Sequence, residues 1–401
     1  MLELDMIQTV AFAGLVLFLG YGLRRLLPLL AHYNIPAPVV GGLVIALVIL
    51  AARQFETTLF KFDTTLQSPL MIAFFTSIGF GASYSLLKVG GPQALLFFGI
   101  VSLVAALQNL VGIPLALALG VSPLFGVIVG SLTLAGGPAT GLAFAPLFEQ
   151  AGVAGASTLA VASAMAGIVS AGLVGGPITT FIIKRYNLRS STPAPSALSE
   201  QKTSSSDKTD EDKNSAFVLL KNIVIILAAM WLGGGISKWL TALNITLPAY
   251  IGAMAVAAVI RNVDDRTKVF GLKPTVIDDL GHVALSLFLV LALMTLKLWE
   301  LAGLALPLLV ILSVQIILVV LLCLWPVFQL MGRDYESAVM VSGFCGFMLG
   351  ITANAMANMN TLVERYGPAP RAFLIVPMIA AFFIDFPNAA LITACLNWWA
   401  P

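Results

Sequence analysis

The stretch SLTLAGGPATG at residues 131–141 decides the fold, because it interrupts a run that is otherwise apolar enough for a membrane helix. Two adjacent glycines, a proline and two threonines are poor material for a helix interior. Breaking a helix at membrane depth costs free energy, since the freed backbone groups find no water there. Such a break is tolerated where it lines a polar cavity or is buried in protein, so the stretch predicts a turn with a function inside the bilayer.

Composition places this stretch in an all-α polytopic membrane protein. The 401 residues are 59% hydrophobic and 10% charged, and the mean hydropathy is +0.99. Apolar segments of about 17 to 25 residues recur along almost the whole chain, which leaves no room for a large soluble domain. The net charge of +2 gives no indication of a nucleic-acid partner. Three widely spaced cysteines, Cys323, Cys345 and Cys395, suggest small core residues rather than a disulfide framework or a thiolate metal site.

A polar segment at 191–215, STPAPSALSEQKTSSSDKTDEDKNS, has the composition of a solvated linker and divides the chain into halves at 1–190 and 216–401. Each half contains five predicted spans and one Gly-rich segment. In the first half these are 7–29, 37–52, 68–89, 92–119, the Gly-rich 123–148, and 155–184. In the second they are 217–240, 247–261, 279–297, 301–331, the Gly-rich 334–364, and 372–398.

The two halves resemble each other in three islands that occur in the same order. IPAP at 35 aligns with LPAY at 247, LGVSPLFGVIVGS at 119 with MGRDYESAVMVSG at 331, and LFEQAG at 147 with LVERYG at 362. Chance similarity between apolar helices is the alternative, but the nearly constant offset favours a duplication. Five spans per repeat, an odd number, predict repeats of opposite orientation.

Basic residues agree with this orientation. With both termini outside, only four of the 21 Lys and Arg residues fall outside, namely Arg53, Lys61, Lys238 and Lys297. The remainder, including those of the linker, lie on the cytoplasmic side, as the positive-inside rule requires. The sequence therefore predicts a cytoplasmic linker and termini on the outer side.

The Gly-rich segments are predicted to be re-entrant hairpins that enter the bilayer from opposite sides. Their vertices are AGGPATG at 135–141 and GFCGFMLGITANAMANMN at 343–360. Freed amides and half-helix N-termini face anions there, while freed carbonyls face cations. The alternative to a binding role is that these small residues only allow helices to pack closely. Two equivalent segments that both carry Thr or Asn favour a binding site.

Long stretches of the chain resemble the bacterial glutamate:sodium symporters. They are YNIPAPVVGGL at 33–43, LMIAFFTSIGF at 70–80, SLFLVLALMTLKLWELAGLALP at 286–307 and ERYGPAPRAFLIVPMIAAFFIDFPNA at 364–389. The resemblance implies two inverted five-helix repeats with re-entrant loops, sodium-coupled uptake of L-glutamate and location in the bacterial inner membrane. It also implies a homodimer, with no cofactor besides Na⁺ as the coupling ion.

The vertices supply the candidate substrate ligands. Pro138 and Phe344 stand where the best-known family members carry His, which leaves proton involvement and fine substrate selectivity open. The other family positions are retained, and the predicted substrate-binding residues are Thr133, Gly136, Gly137, Thr140, Gly343, Cys345, Gly346, Gly350 and Thr352.

Asp385 is the leading candidate for binding Na⁺. It lies fourteen residues after Arg371, some 20 Å along the last span at about 1.5 Å per residue, and therefore near the bilayer centre. Charges at that depth are costly and are commonly functional. Asn358, Asn354 and Asn388 are its nearest predicted partners by motif, with a structural anchor as the alternative. Gln108 and Asn109 are equally compatible with ion or substrate contact and with hydrogen bonding between helices.

A secondary transporter is the predicted class, with coupling to Na⁺ or to protons and with another small dicarboxylate as the alternative substrate. A channel would gather broken helices around a subunit axis, whereas inverted repeats within one chain favour alternating access. GGPATG lacks the lysine of a phosphate-binding loop, which disfavours an ATP-driven pump. No constellation of catalytic side chains lies at plausible spacing, so an enzyme is not predicted. His32, His282, Lys297, Trp299 and Glu300 are predicted at the membrane interface.

Overall fold

The computed structural model describes residues 2–55, 59–190, 215–242, 248–301 and 303–399. The predicted linker at 191–215 lies outside the described residues except for Ser215, where a helix begins. Two short strands, β1 (Leu2–Leu4) and β2 (Phe60–Phe62), pair in parallel, a feature that the all-α prediction did not include. Every other regular element is helical.

Seventeen α-helices are present in the described part of the chain. Those of the first half are α1 (Met6–Leu26), α2 (Pro28–His32), α3 (Ala37–Gln54), α4 (Gln67–Gly81), α5 (Tyr84–Ala118), α6 (Pro123–Val127), α7 (Gly137–Gln150) and α8 (Ala156–Arg185). Those of the second are α9 (Ser215–Ala242), α10 (Ala249–Thr267), α11 (Pro274–Met294), α12 (Ala305–Leu322), α13 (Phe328–Leu330), α14 (Tyr335–Met348), α15 (Thr352–Tyr366), α16 (Pro370–Met378) and α17 (Asp385–Trp399).

Helical turns of other types join some of these helices. A 3₁₀ turn, Leu298–Leu301, follows α11. Three π-helical turns, Ile128–Leu132, Cys323–Val327 and Ile379–Phe383, join α6 towards α7, α12 to α13, and α16 to α17. Single π turns inside helices occur often at functional sites.

Eight helices of the described residues are long and apolar enough to span a membrane, so the protein is a multi-pass membrane protein. By this measure each half has four spans, which differs from the five predicted for each half. Helix α4 has only 15 residues, about 22 Å of length against a hydrocarbon core of about 30 Å. Helix α10 has 19 residues but carries Arg261, Asp264, Asp265 and Arg266 near its end.

One predicted span boundary was wrong. The span predicted at 68–89 ends at Gly81, and α5 begins at Tyr84 after a two-residue turn. Helix α5 is itself broken at Gly91, which has a φ of 65°, immediately before Pro92. Glycine tolerates this backbone conformation, and proline cannot continue the hydrogen bonding of the preceding turn.

The helices pack into two bundles, and each bundle draws on both halves of the sequence. The α11 bundle contains α1, α3, α4, α9, α10 and α11. The hairpin bundle contains α5 to α8 and α12 to α17. Within the α11 bundle the packing is reciprocal: α1 packs on α3 as α9 does on α10, and α3 packs on α11 as α10 does on α4.

Candidate functional site

The first vertex breaks the backbone between α6 and α7, and polar side chains satisfy the broken part. Gly130 has non-helical dihedrals within the π turn. The neighbouring Ser131 N–H donates to Asn109 Oδ1 at 3.1 Å, and Ser131 O accepts from Asn388 Nδ2 at 3.1 Å. Thr133 Oγ1 donates to Ile128 O at 2.6 Å. Side chains from α5 and α17 thus pair with backbone groups that the helix break frees.

The second vertex lies between α14 and α15 and is held in the same manner. Gln108 Nε2 donates to Met348 O, the last residue of α14, at 3.0 Å. From α15, Asn354 Nδ2 donates to Ile168 O at 2.8 Å and Asn358 Nδ2 donates to Ala171 O at 3.1 Å. These two amides fasten α15 to α8.

The two vertices meet at one cavity of about 680 Å³, here called the vertex cavity. A Cβ on Gly137 would lie 3.0 Å from the Ile351 side chain and 3.7 Å from Gly350 O, so the vertices are in contact. Residues of both hairpins line the cavity together with a residue of the last helix: Ala135, Gly136, Pro138, Gly350, Ile351, Thr352 and Asp385. The structure therefore brings together Gly136, Gly350, Thr352 and Asp385, all predicted from sequence.

Both half-helices that follow the vertices begin at this cavity. Helix α7 begins at Gly137 and α15 at Thr352, and neither N-terminus is capped by a side chain. The first backbone N–H groups of a helix have no partner within the helix, and the helix dipole adds about half a positive charge there. Two such ends facing one cavity create an environment that favours anions.

Asp385 lines the cavity at the start of α17, half-buried and without an ion pair among the described residues. Asn388 lies three residues later, almost one turn along the same helix, and its Oδ1 is buried without a hydrogen-bond partner. The Oγ of Ser131, the residue that Asn388 contacts, is also buried and unpaired. A carboxylate with unpaired neutral oxygens near it suits a cation such as Na⁺, which prefers oxygen ligands.

Other predicted substrate ligands lie behind the cavity wall. Thr133 hydrogen-bonds within the first hairpin and lies 2.8 Å from Ser163 Oγ. Gly346 lets α14 approach α15, since a Cβ there would lie 2.5 Å from Ala355 Cα. The rest are buried or packed against neighbouring helices and do not line the cavity: Thr140, Gly343 and Cys345.

The positions that depart from the family pattern have different surroundings. Pro138 lines the vertex cavity, where it is the second residue of α7. Phe344 is fully buried and packs edge-on against Phe97 and Phe347. Only the first of these positions is in reach of a ligand in the cavity.

Three more charged or titratable residues line the vertex cavity. Sequence reasoning gave two of them another role and did not consider the third. Arg24 was counted as an orienting charge and His282 as an interfacial residue, whereas both line the cavity with Asp278. Asp278 and His282 are four residues apart on α11 and so share a face. That spacing is visible in the sequence and was the available signal.

A second cavity of about 390 Å³ lies at the opposite end of α11, between the hairpin bundle and the α11 bundle. It is lined by Glu149, Lys297 and Glu300 among others. Thr158 Oγ1 of α8 donates to Lys297 O at 3.2 Å, which joins the two bundles at this end. Lys297 pairs with Glu300 at 3.7 Å.

The base of the second hairpin is fixed by charge. Asp334 caps α14 by accepting from the Ser337 N–H at 2.7 Å, and Arg371 Nη2 donates to Asp334 Oδ1 at 2.7 Å. Burial acts against the charged carboxylate, but the Ser337 donors and Arg371 outweigh it and hold the pKa of Asp334 below its usual range. The hairpin therefore has a rigid base while its vertex lines the cavity.

Comparisons of the sequence with known proteins give matches over nearly the whole chain. Residues 2–368 match the sequence model of a family described as sodium/glutamate symporter. A sodium/glutamate symporter of Escherichia coli is 39% identical over 394 residues, 98% of this chain and 97% of the relative. One of Haemophilus influenzae is 38% identical over 386 residues, 96% of this chain and 95% of the relative.

Proposed function

The chain belongs to the sodium/glutamate symporter family, and from this premise we propose how it carries its substrate. It is a transporter, not an enzyme, and its function is sodium-coupled uptake of L-glutamate. One observation carries the proposed mechanism: both Gly-rich vertices and Asp385 line the same cavity.

We propose that one carboxylate of glutamate binds at the N-termini of α7 and α15. Neutral amide donors bind an anion without holding it too tightly for release. The Thr352 side chain belongs to the same site, and its Oγ1 donates to Ala380 O at 3.1 Å. Gly136, Gly137 and Gly350 permit the close approach of backbone that this arrangement requires. Thr133, Thr140, Gly343, Cys345 and Gly346 shape the hairpins behind the site.

Na⁺ is proposed to bind between Asp385 and the first vertex. The unpaired Asn388 Oδ1 and Ser131 Oγ are the neutral ligands that support this position. Asn354 Oδ1 is unpaired as well and remains a candidate ligand with Asn358. Gln108 and Asn109, whose hydrogen bonds go to backbone groups, act chiefly by holding the vertices in place.

Two inverted repeats, 1–190 and 216–401, are proposed to form the bundles jointly. The reciprocal packing of the α11 bundle supports this symmetry. We propose that the short helix α4 and the helix α10, which carries charges near its end, complete the five crossings of each repeat, because α4 is surrounded by α9, α10 and α11. The protein then lies in the bacterial inner membrane with a cytoplasmic linker, most simply as a homodimer.

Alternating access is proposed to arise from movement of the hairpin bundle against the α11 bundle. Cavities at opposite ends of α11, both between these bundles, support such a movement. The vertex cavity reaches the end of α1, where Arg24 lines it, and at the opposite end of α11 the hydrogen bond from Thr158 Oγ1 to Lys297 O joins the two bundles. Because each hairpin enters from a different side, each closes one route to the shared site.

Uptake by proteoliposomes tests the function. An imposed inward Na⁺ gradient is expected to drive accumulation of radiolabelled L-glutamate, and unlabelled glutamate is expected to compete better than glutamine or succinate. The matched control is the same vesicle with K⁺ replacing Na⁺. Uptake that a pH gradient drives equally well without Na⁺ would instead indicate a proton symporter, and preferential competition by another dicarboxylate would change the substrate.

Thiol labelling tests the proposed topology. In a cysteine-free background, single cysteines near Pro123 are expected to react with an impermeant reagent from outside the cell. Cysteines placed within 191–215 are expected to react only after the cytoplasmic side is opened. Labelling of both positions from the same side would contradict the inverted arrangement.

A further inference from the structure

Arg24 is a cavity-lining residue whose charge forms no ion pair among the described residues. It lies in the last turn of α1, is half-buried, and lines the vertex cavity. It forms no ion pair with any residue that the structure describes. The next residue, Arg25, is exposed and does not line the cavity.

The orienting role of basic residues explains only one of these two arginines. Lys and Arg at helix ends favour the cytoplasmic side, and an exposed side chain such as Arg25 is sufficient for this. Arg24 instead gives up part of its hydration inside the cavity, and no described carboxylate pairs with it. A partly buried charge is costly unless it is paired. The partner of Arg24 is therefore to be sought among the molecules that enter the cavity.

The other charges on this side of the cavity already have neighbours. Asp278 lies close to His282 and Arg261, and Arg261 Nε pairs with Asp265 Oδ1 at 3.1 Å. Within the described part of the chain, Arg24 is thus the arginine of the cavity lining that has no carboxylate paired with it.

Each carboxylate of glutamate needs hydrogen-bond donors of its own when it leaves water, because the two lie at opposite ends of the molecule. The uncapped N-termini of α7 and α15 supply backbone N–H donors and about half a positive charge each for one carboxylate. Glutamate carries two carboxylates. A guanidinium offers paired N–H donors that match a carboxylate in a bidentate arrangement, and it stays charged at any physiological pH.

We propose that Arg24 binds the side-chain carboxylate of the transported dicarboxylic amino acid and thereby sets the preference for a carboxylate over an amide at that position. The inference rests on the proposed function of the vertex cavity. It makes Arg24 a specificity-determining residue that lies outside both Gly-rich vertices, on a helix of the other bundle.

The test is a comparison of L-glutamate with L-glutamine, which has nearly the same shape but a neutral side chain. Each ligand is titrated against radiolabelled glutamate in a competition assay on purified full-length protein in Na⁺. The proteins compared are wild type, Arg24→Gln, Arg24→Lys and the matched control Arg25→Gln. For Arg24→Gln we expect glutamate affinity to fall about tenfold or more, because a hydrogen-bonded charge pair is lost. Glutamine affinity is expected to stay within about twofold, so that the preference for glutamate collapses.

The two controls separate recognition from structure. Arg24→Lys is expected to restore part of the preference, and Arg25→Gln to retain all of it. A variant that lowers the affinity for both ligands equally would assign Arg24 to structure and overturn the proposal, as would an unchanged ratio of the two affinities. If wild type itself bound no glutamate in Na⁺, the proposed function would fail, an outcome distinct from failure of the Arg24 assignment.

Discussion

Replacing Gly346 or Gly137 by valine is expected to abolish sodium-driven glutamate uptake while the protein still inserts in the membrane. A Cβ on Gly346 would lie 2.5 Å from Ala355 Cα and 2.6 Å from Ala355 N, so valine must force α14 and α15 apart. Gly137 has a φ of 68°, and its Cβ would lie 3.0 Å from Ile351 Cγ2 of the other vertex. Both substitutions crowd the place where the proposed site is assembled.

Control substitutions at two other glycines distinguish steric crowding at the vertices from the general effects of introducing valine. Gly99 lies in α5 with nothing within 4 Å of its added Cβ, and Gly99→Val controls for Gly346→Val. Gly120 has a φ of 73° and equally open surroundings, so Gly120→Val reproduces the backbone strain of Gly137→Val without the contact. We expect both controls to retain most of the uptake, measured per unit of protein recovered in proteoliposomes.

Substrate protection extends this test to the shared site. A cysteine introduced at either vertex is expected to react more slowly with a thiol reagent when glutamate and Na⁺ are both present. Valine variants that transport normally, or protection at one vertex only, would refute a site formed by both hairpins.

Asp385→Asn is expected to weaken the apparent affinity for Na⁺ at least tenfold, about 1.4 kcal/mol. The substitution keeps the shape and one oxygen of the side chain but removes the charge that favours a cation in a low-dielectric site. The measurement is the Na⁺ concentration for half-maximal glutamate uptake. Asp278→Asn is the matched control, because Asp278 is also a half-buried carboxylate that lines the vertex cavity. If Asp385→Asn left the Na⁺ dependence of uptake unchanged, Asp385 would be a structural anchor.

The sequence predicted which segments interrupt a helix. The structure shows which side chains pair with the backbone groups that the interruption frees. Gly136, Gly137 and Pro138 mark the first vertex by composition alone, since these residues disfavour a helix interior wherever they occur. The partners of that break, Asn109 and Asn388, are 22 and 257 residues away from Ser131. Sequence reasoning named both amides as ion candidates and left hydrogen bonding between helices open only for Asn109.

Boundaries were less predictable than the presence of helices. The span expected at 68–89 ends eight residues early, at Gly81. This end was not predicted because the turn at Ala82 and Ser83 contains no strong helix breaker. The turn is stabilised from α10, where Asn262 Nδ2 donates to Ala82 O at 2.9 Å and Asn262 Oδ1 accepts from the Tyr84 N–H at 2.8 Å. Such contacts depend on a helix some 180 residues away in the chain and leave no local signal.

The sequence by itself determined the membrane class, the two Gly-rich breaks and the identity of Asp385 as an unusual charge within a long apolar segment. These properties follow from hydropathy and from backbone propensities, which act over one or two helical turns. Only the tertiary structure decided that both vertices share one cavity, that Arg24 and His282 line it, and that Thr133 and Gly346 lie behind it. The direction in which a side chain points between helices is set by how distant helices pack, because each neighbour comes from another part of the chain.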